Sequence, residues 1–259
     1  MRPPTWLETA LRTLAGLVCL PLLLVPICIT ALVTVPFGVS QRWFHRYLYL
    51  LFSRTAVGLT GSRIAVGGRQ HIEPGQAYVV VSNHESNLDP FLLMHALPEL
   101  IVRFVIKRQI MSVPLFGIAL ARTGNVTVER RGTGDVQRIQ DGMAARDPAV
   151  SILFFAEGTR ARDGEFREFK KGAFATAIEQ RLAVLPIGMA GAFYANPVGT
   201  PILRRGAVAL EIGAPIPVQD LKREDRGLLR DQAQAAVGDL RRRARERVRA
   251  TGGDPGGKD

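Results

Sequence analysis

Apolar side chains occupy nearly every position from Leu14 to Phe37, and no charged residue lies between Thr13 and Gln41. As a helix rising roughly 1.5 Å per residue, such a run is long enough to cross a ~30 Å hydrocarbon core. Pro21, Pro26 and Pro36 each remove a backbone donor, so kinks are expected instead of one straight span. Arg2 and Arg12 precede the run and Arg42, Arg46 and Arg54 follow it. The basic asymmetry that orients a single span is therefore missing, and the pattern predicts a bent segment with both ends on the cytosolic side. From Gln41 to Leu59, the residues Trp43, Phe44, Tyr47, Leu48, Leu51 and Phe52 segregate from Arg42, His45, Arg46 and Arg54, as on a basic helix lying at a membrane surface. Residues 1–60 read as a membrane-embedded helical anchor. The apolar run is too long for a cleaved signal peptide, and no small-x-small site follows it.

After Gly61 the texture changes to short apolar runs alternating with helical patterns. This is the pattern of an α/β domain with a mostly parallel sheet flanked by helices. Strands are expected at Tyr78–Ser82, Ile101–Ile106, Val126–Val128, Val150–Phe155, Val184–Met189 and Val208–Ile212. Helices are expected near Pro90–Ala96, Arg108–Ala121, Val136–Arg146 and Gly172–Arg181, and an arginine-rich one closes the domain between Asp220 and Arg249. The α/β domain then covers 61–250, and 251–259 is a flexible tail.

Composition narrows the partners. The chain has 259 residues and a formal net charge of +11, and its only lysines are Lys107, Lys170, Lys171, Lys222 and Lys258. Arginine offers a planar fork to phosphate, so anionic partners are expected. The apolar N-terminus favours a lipid surface over nucleic acid. The Arg241–Arg249 run, with Glu246 inside it, reads as a solvated helix face or a lipid contact. Cys19 and Cys28 both lie in the apolar run, and His71, His84 and His95 lack ligand spacing, so no metal is expected. Phosphate-binding and dinucleotide glycine motifs are missing, so neither NTP nor NAD use is supported.

Two segments carry chemistry. In VVVSNHESNLDPFLL, His84 follows an apolar strand and Asp89 stands five residues on, before Pro90. One explanation is bland, with Asp89 and Pro90 simply starting a helix. The other makes Asp89 the carboxylate that fixes the His84 tautomer while the free ring nitrogen takes a hydroxyl proton. With no serine or cysteine placed as a nucleophile, the transfer would be direct. In FFAEGTRARDG, Glu157, Gly158, Thr159 and Arg160 fall at the carboxyl end of another strand, the sheet edge where ligands bind. Gly158 permits close backbone approach, Thr159 offers a hydroxyl and Arg160 a phosphate fork, unless the turn is merely solvated.

Together, N-H-E-S-N-L-D at Asn83–Asp89 and F-A-E-G-T-R at Phe155–Arg160 resemble the glycerolipid acyltransferases of the H-x-x-x-x-D type. Gly124–Arg130 is similar to that family's second block, Val184–Ile187 to its fourth, and the likeness runs from about Ile72 to Pro217. Ala156 replaces the usual proline of the third block, and Thr127 and Val128 stand where the second usually has phenylalanine. The resemblance implies a glycerol-3-phosphate acyltransferase-like fold and acyl transfer from acyl-CoA or acyl-carrier protein, with no other cofactor. It makes the membrane bilayer and a lysophospholipid, above all 1-acyl-sn-glycerol-3-phosphate, the partners, at the cytoplasmic face of the bacterial inner membrane. It assigns His84 as general base and Asp89 as its orienting partner. Lys107, Arg130 and Arg160 would hold the acceptor phosphate, and Glu157 would position the glycerol or support the loop. A lyso-ornithine lipid acceptor, or a non-catalytic membrane-binding module on the same fold, are the competing expectations.

Overall fold

A computed structural model describes residues 3–123, 125–128, 149–160 and 164–256. The expected helix at Val136–Arg146 lies outside them. The apolar run forms one helix, α1 (Trp6–Thr34), whose N-cap Thr5 accepts the Glu8 N–H. α1 runs on through Pro21 and Pro26, each proline deleting one donor from the helical ladder. The chain turns at a tight helical turn, Val35–Phe37, which holds the expected breaker Pro36, and at Gly38, whose φ of 79° suits glycine. A short α-turn (Gln41–Trp43) and a π-helical stretch (Phe44–Tyr49) then lead into α2 (Leu50–Thr60).

Along α1, Leu7, Leu11, Leu14, Val18, Leu22, Val25, Ile29 and Val33 follow one another at intervals of three or four residues, and all are exposed. They form one continuous apolar stripe. Ile27, Cys28 and Ala31 on the other face are buried. The start of α1 is fastened to the rest of the protein. Arg12 donates to the Leu59 carbonyl at 3.1 Å, the Leu203 N–H donates to Thr13 Oγ1 at 3.1 Å, and Arg205 pairs with Glu8 at 3.2 Å.

Seven strands among the described residues make one sheet: β1 (Arg63–Gly67), β2 (Val79–Ser82), β3 (Ile101–Lys107), β4 (Val126–Val128), β5 (Val150–Phe155), β6 (Val184–Ala190) and β7 (Ala207–Ile212). Their spatial order is β1-β7-β6-β2-β5-β3-β4, parallel throughout except where β6 meets β7. β1 was not expected. It is an edge strand, half-exposed along most of its length, and its apolar run, Ile64–Val66, is only three residues long between Arg63 and Gly67.

Alternation along the central strands sorts the core into two layers. Val79, Val81, Ile152 and Phe154 face α5 (Gly172–Glu179) and the long α7 (Arg226–Ala250). Tyr78, Val80, Leu153 and Leu185 face α3 (Asp89–Ala96) and the end of α2, where Val57 joins them. The helix expected over Arg108–Ala121 is two pieces, a 3-10 turn (Arg108–Ser112) and α4 (Phe116–Arg122). Pro114 disfavours helical backbone at the residue before it, and Leu115 between the pieces has a φ of 64°. A one-turn helix, α6 (Ala192–Ala195), follows β6.

Candidate active site

β2 and β5 are neighbours in register, Ser82 beside Phe155, so the two chemistry-bearing segments leave the sheet side by side at its carboxyl edge. His84 leaves β2 and Asp89 opens α3. His84 Nδ1 and Asp89 Oδ2 are 2.6 Å apart. A carboxylate oxygen only accepts, so Nδ1 carries the proton and Nε2 is left as the acceptor. The same Asp89 oxygen accepts the backbone N–H groups of Glu85 at 2.6 Å and Ser86 at 2.8 Å. Asp89 therefore folds the turn back on itself. It is not the helix cap, since the cap position belongs to Leu88 and receives no side-chain hydrogen bond. Asp89 is fully buried, whereas the His84 side chain keeps 17% of its surface open. Phe155 stacks on the imidazole, ring centres 3.9 Å apart and 15° from parallel, and sets its plane.

Glu157 crosses from the neighbouring turn. One carboxyl oxygen accepts the His84 N–H at 2.9 Å and the other the Arg167 N–H at 3.3 Å. Of the two roles expected for it, the geometry gives loop support, since both oxygens meet backbone. Burial pushes Glu157 up to about 7, against the pull of those two N–H groups. Gly158 has a φ of 70°, and a Cβ there would stand 2.7 Å from the Lys170 side chain, so glycine lets that lysine close over the turn. Thr159 and Arg160 complete the turn, half-buried. Lys107 ends β3 beside Val128 of β4. Arg130 lies outside the described residues.

A cavity of about 610 Å³ adjoins the turn, a size typical of a small-molecule site. His84, Gly158, Arg160 and Lys170 line one part of it. Leu24 and Ile27 of α1, Phe52 of α2, Phe91 of α3, Phe104 of β3 and Phe116 of α4 make the wall apolar. Helix α1 thus forms part of the wall beside the imidazole. Lys170, which the sequence shows only as one of five lysines, joins this lining. Sequence reasoning missed Phe155 as a stacking partner, because an aromatic ending a strand looks like core.

With this geometry in hand, comparison with known proteins is direct. The model of a family described as Acyltransferase matches residues 63–190. The 1-acyl-sn-glycerol-3-phosphate acyltransferase alpha of Bos taurus is 32% identical over 183 residues, 69% of this chain and 63% of that protein. The chloroplastic 1-acyl-sn-glycerol-3-phosphate acyltransferase LPAT1 of Arabidopsis thaliana is 31% identical over 183 residues, 70% of this chain and 51% of that protein. The chain thus spans less than two thirds of the length of these relatives. The crystal structure of the 1-acyl-sn-glycerophosphate acyltransferase PlsC from Thermotoga maritima superposes with a TM-score of 0.76, covering 93% of this chain and 96% of that one at 22% identity. At that identity the likeness shows a common fold.

Proposed function

Residues 63–190 match the Acyltransferase family model, and from that premise we propose that the chain moves a fatty acyl group from a thioester to the free hydroxyl of 1-acyl-sn-glycerol-3-phosphate, forming phosphatidic acid. The observation that carries the reading is the juxtaposition of the His84–Asp89 pair with a largely apolar cavity whose lining also holds Arg160 and Lys170. The apolar part suits an acyl chain, and the two cations suit a phosphate.

In this mechanism His84 Nε2 takes the proton of the acceptor hydroxyl as its oxygen attacks the thioester carbonyl. The new C–O bond forms and the C–S bond breaks. The departing thiolate recovers the proton from the imidazolium, which the Asp89 carboxylate stabilises while it exists. Arg160 and Lys170 bind the acceptor phosphate, joined by Lys107 and Arg130. Glu157 and Phe155 keep the imidazole pointed at the hydroxyl. The donor is acyl-CoA or acyl-carrier protein, and no other cofactor takes part.

The exposed stripe of α1 attaches the protein to the bilayer at the cytoplasmic face of the bacterial inner membrane, so that acceptor and product never leave the lipid phase. The test is acylation of lysophosphatidate by the purified protein in lipid vesicles. His84→Ala should lower kcat on the order of 10²–10⁴-fold at an unchanged melting temperature. A His84→Ala protein of wild-type rate, or a wild type that leaves lysophosphatidate untouched, overturns the proposal.

A further inference from the structure

Three buried carboxyl groups crowd the catalytic turn. Asp89 faces His84 and Glu157 braces the backbone, but Glu85, next to His84 in the chain, has no part in the proton transfer. Burial pushes Glu85 up to about 8, and the strongest influence against that rise is the guanidinium of Arg241. Arg241 is buried too, although it comes from α7, outside the segment matched by the family model. Its Nε donates to Glu85 Oε1 at 3.2 Å and a terminal nitrogen donates to the Gly164 carbonyl at 2.8 Å. Gly164 lies on the chain that follows the Glu157–Arg160 turn, so one side chain touches both catalytic segments.

The surroundings are built for this contact. Asn83 Nδ2 donates to the same Glu85 oxygen at 3.2 Å, and Asn83 exchanges hydrogen bonds with the Met189 backbone of β6 in both directions. On the same strand, a Cβ at Gly188 would stand 2.1 Å from the Arg241 backbone nitrogen and 2.3 Å from the Leu240 carbonyl carbon. Only glycine there lets α7 come close enough for the guanidinium to reach the turn.

We infer that Arg241 is a positioning residue for acyl transfer, tying Glu85 to the Gly164 carbonyl across the two catalytic segments and so holding His84 and Asp89 in their working geometry. The kinetic part of its test rests on the proposed function, and the spectroscopic part does not. Removing one partner of a buried hydrogen-bonded pair leaves the other without its bond, whereas two amides in their place can bond each other. The experiment therefore compares the full-length wild type, Arg241→Gln and the double variant Glu85→Gln/Arg241→Gln. Two quantities are read: kcat and KM with lysophosphatidate and an acyl-CoA, and the downfield proton resonance of the His84 Nδ1–H bonded to Asp89, identified by its loss in His84→Ala.

Arg241→Gln should lower kcat on the order of tenfold to a hundredfold with KM within about twofold, and weaken the resonance. The double variant should recover most of kcat and the resonance. A purely architectural role would leave the double variant no better than the single one. That result, or an Arg241→Gln protein with wild-type kcat and resonance, overturns the inference. If Arg241→Gln does not fold, the double variant decides: folded and active supports the inference, folded with neither activity nor resonance overturns it. A wild type inactive on lysophosphatidate would count against the proposed function alone, since the resonance comparison still decides the role of Arg241.

Discussion

At Asp89 a single carboxyl oxygen accepts three donors, the His84 ring N–H and the backbone N–H groups of Glu85 and Ser86. Asp89→Asn keeps an oxygen for the two backbone donors and loses the charge that favours imidazolium. Acyl transfer should fall on the order of a hundredfold or more while the melting temperature stays near that of the wild type. A large loss of stability with full residual activity would return Asp89 to a structural role. The pairing of His84 with Asp89 was legible in the sequence because five residues bridge one strand end and the next helix start. Glu85 and Arg241 were not, since 156 residues separate them and each looks like a surface charge when read locally. Only the sheet, by bringing α7 against β6, makes them neighbours.

Among the elements, those legible in the sequence were the strands buried on both faces, whose apolar runs β2, β5 and β6 show plainly. β1 escaped because its apolar run, Ile64–Val66, is short and directly follows the turn at Gly61, and its partner β7 lies far along the chain. The break between the two pieces after β3 was hidden because Val113, Leu115 and Phe116 keep a helix-like apolar spacing, while Pro114 and the left-handed Leu115 forbid a continuous one. Packing of α7 on β6 depends on Gly188, where an added methyl meets helix backbone that has no flexible end to move aside. Gly188→Ala should cost about 1–3 kcal/mol in denaturant unfolding and also depress acyl transfer, by moving Arg241 outward. An alanine protein as stable as the wild type would show that α7 tolerates displacement.

At the scale of the whole molecule, the apolar N-terminus was legible as a membrane-seeking segment, but its integration with the catalytic domain was not. Leu24, Ile27, Cys28 and Ala31 serve the cavity wall, while the opposite face of the same helix stays bare. Attachment can therefore be tested by substitution on the bare face, which leaves the cavity intact. An aspartate costs about 2.5–3.5 kcal/mol at the centre of a lipid-embedded helix, and little where a side chain meets only water. Leu14→Asp/Leu22→Asp should thus abolish flotation with liposomes, yet preserve the fold and the acylation of a detergent-dispersed acceptor. Undiminished flotation would place the attachment elsewhere.

The ties of Arg12 to Leu59, Thr13 to Leu203 and Glu8 to Arg205 fasten the start of α1 to the end of α2 and to the segment that leads into β7. A protein held by a loose tether would sample the bilayer at every tilt and height. This one, once its stripe is immersed, carries His84 at a single depth, as a keel fixes the waterline of a hull. On the proposed function its encounters with lipid would then be two-dimensional, and its turnover should follow the mole fraction of acceptor within the leaflet, whatever the amount of acceptor per volume of buffer.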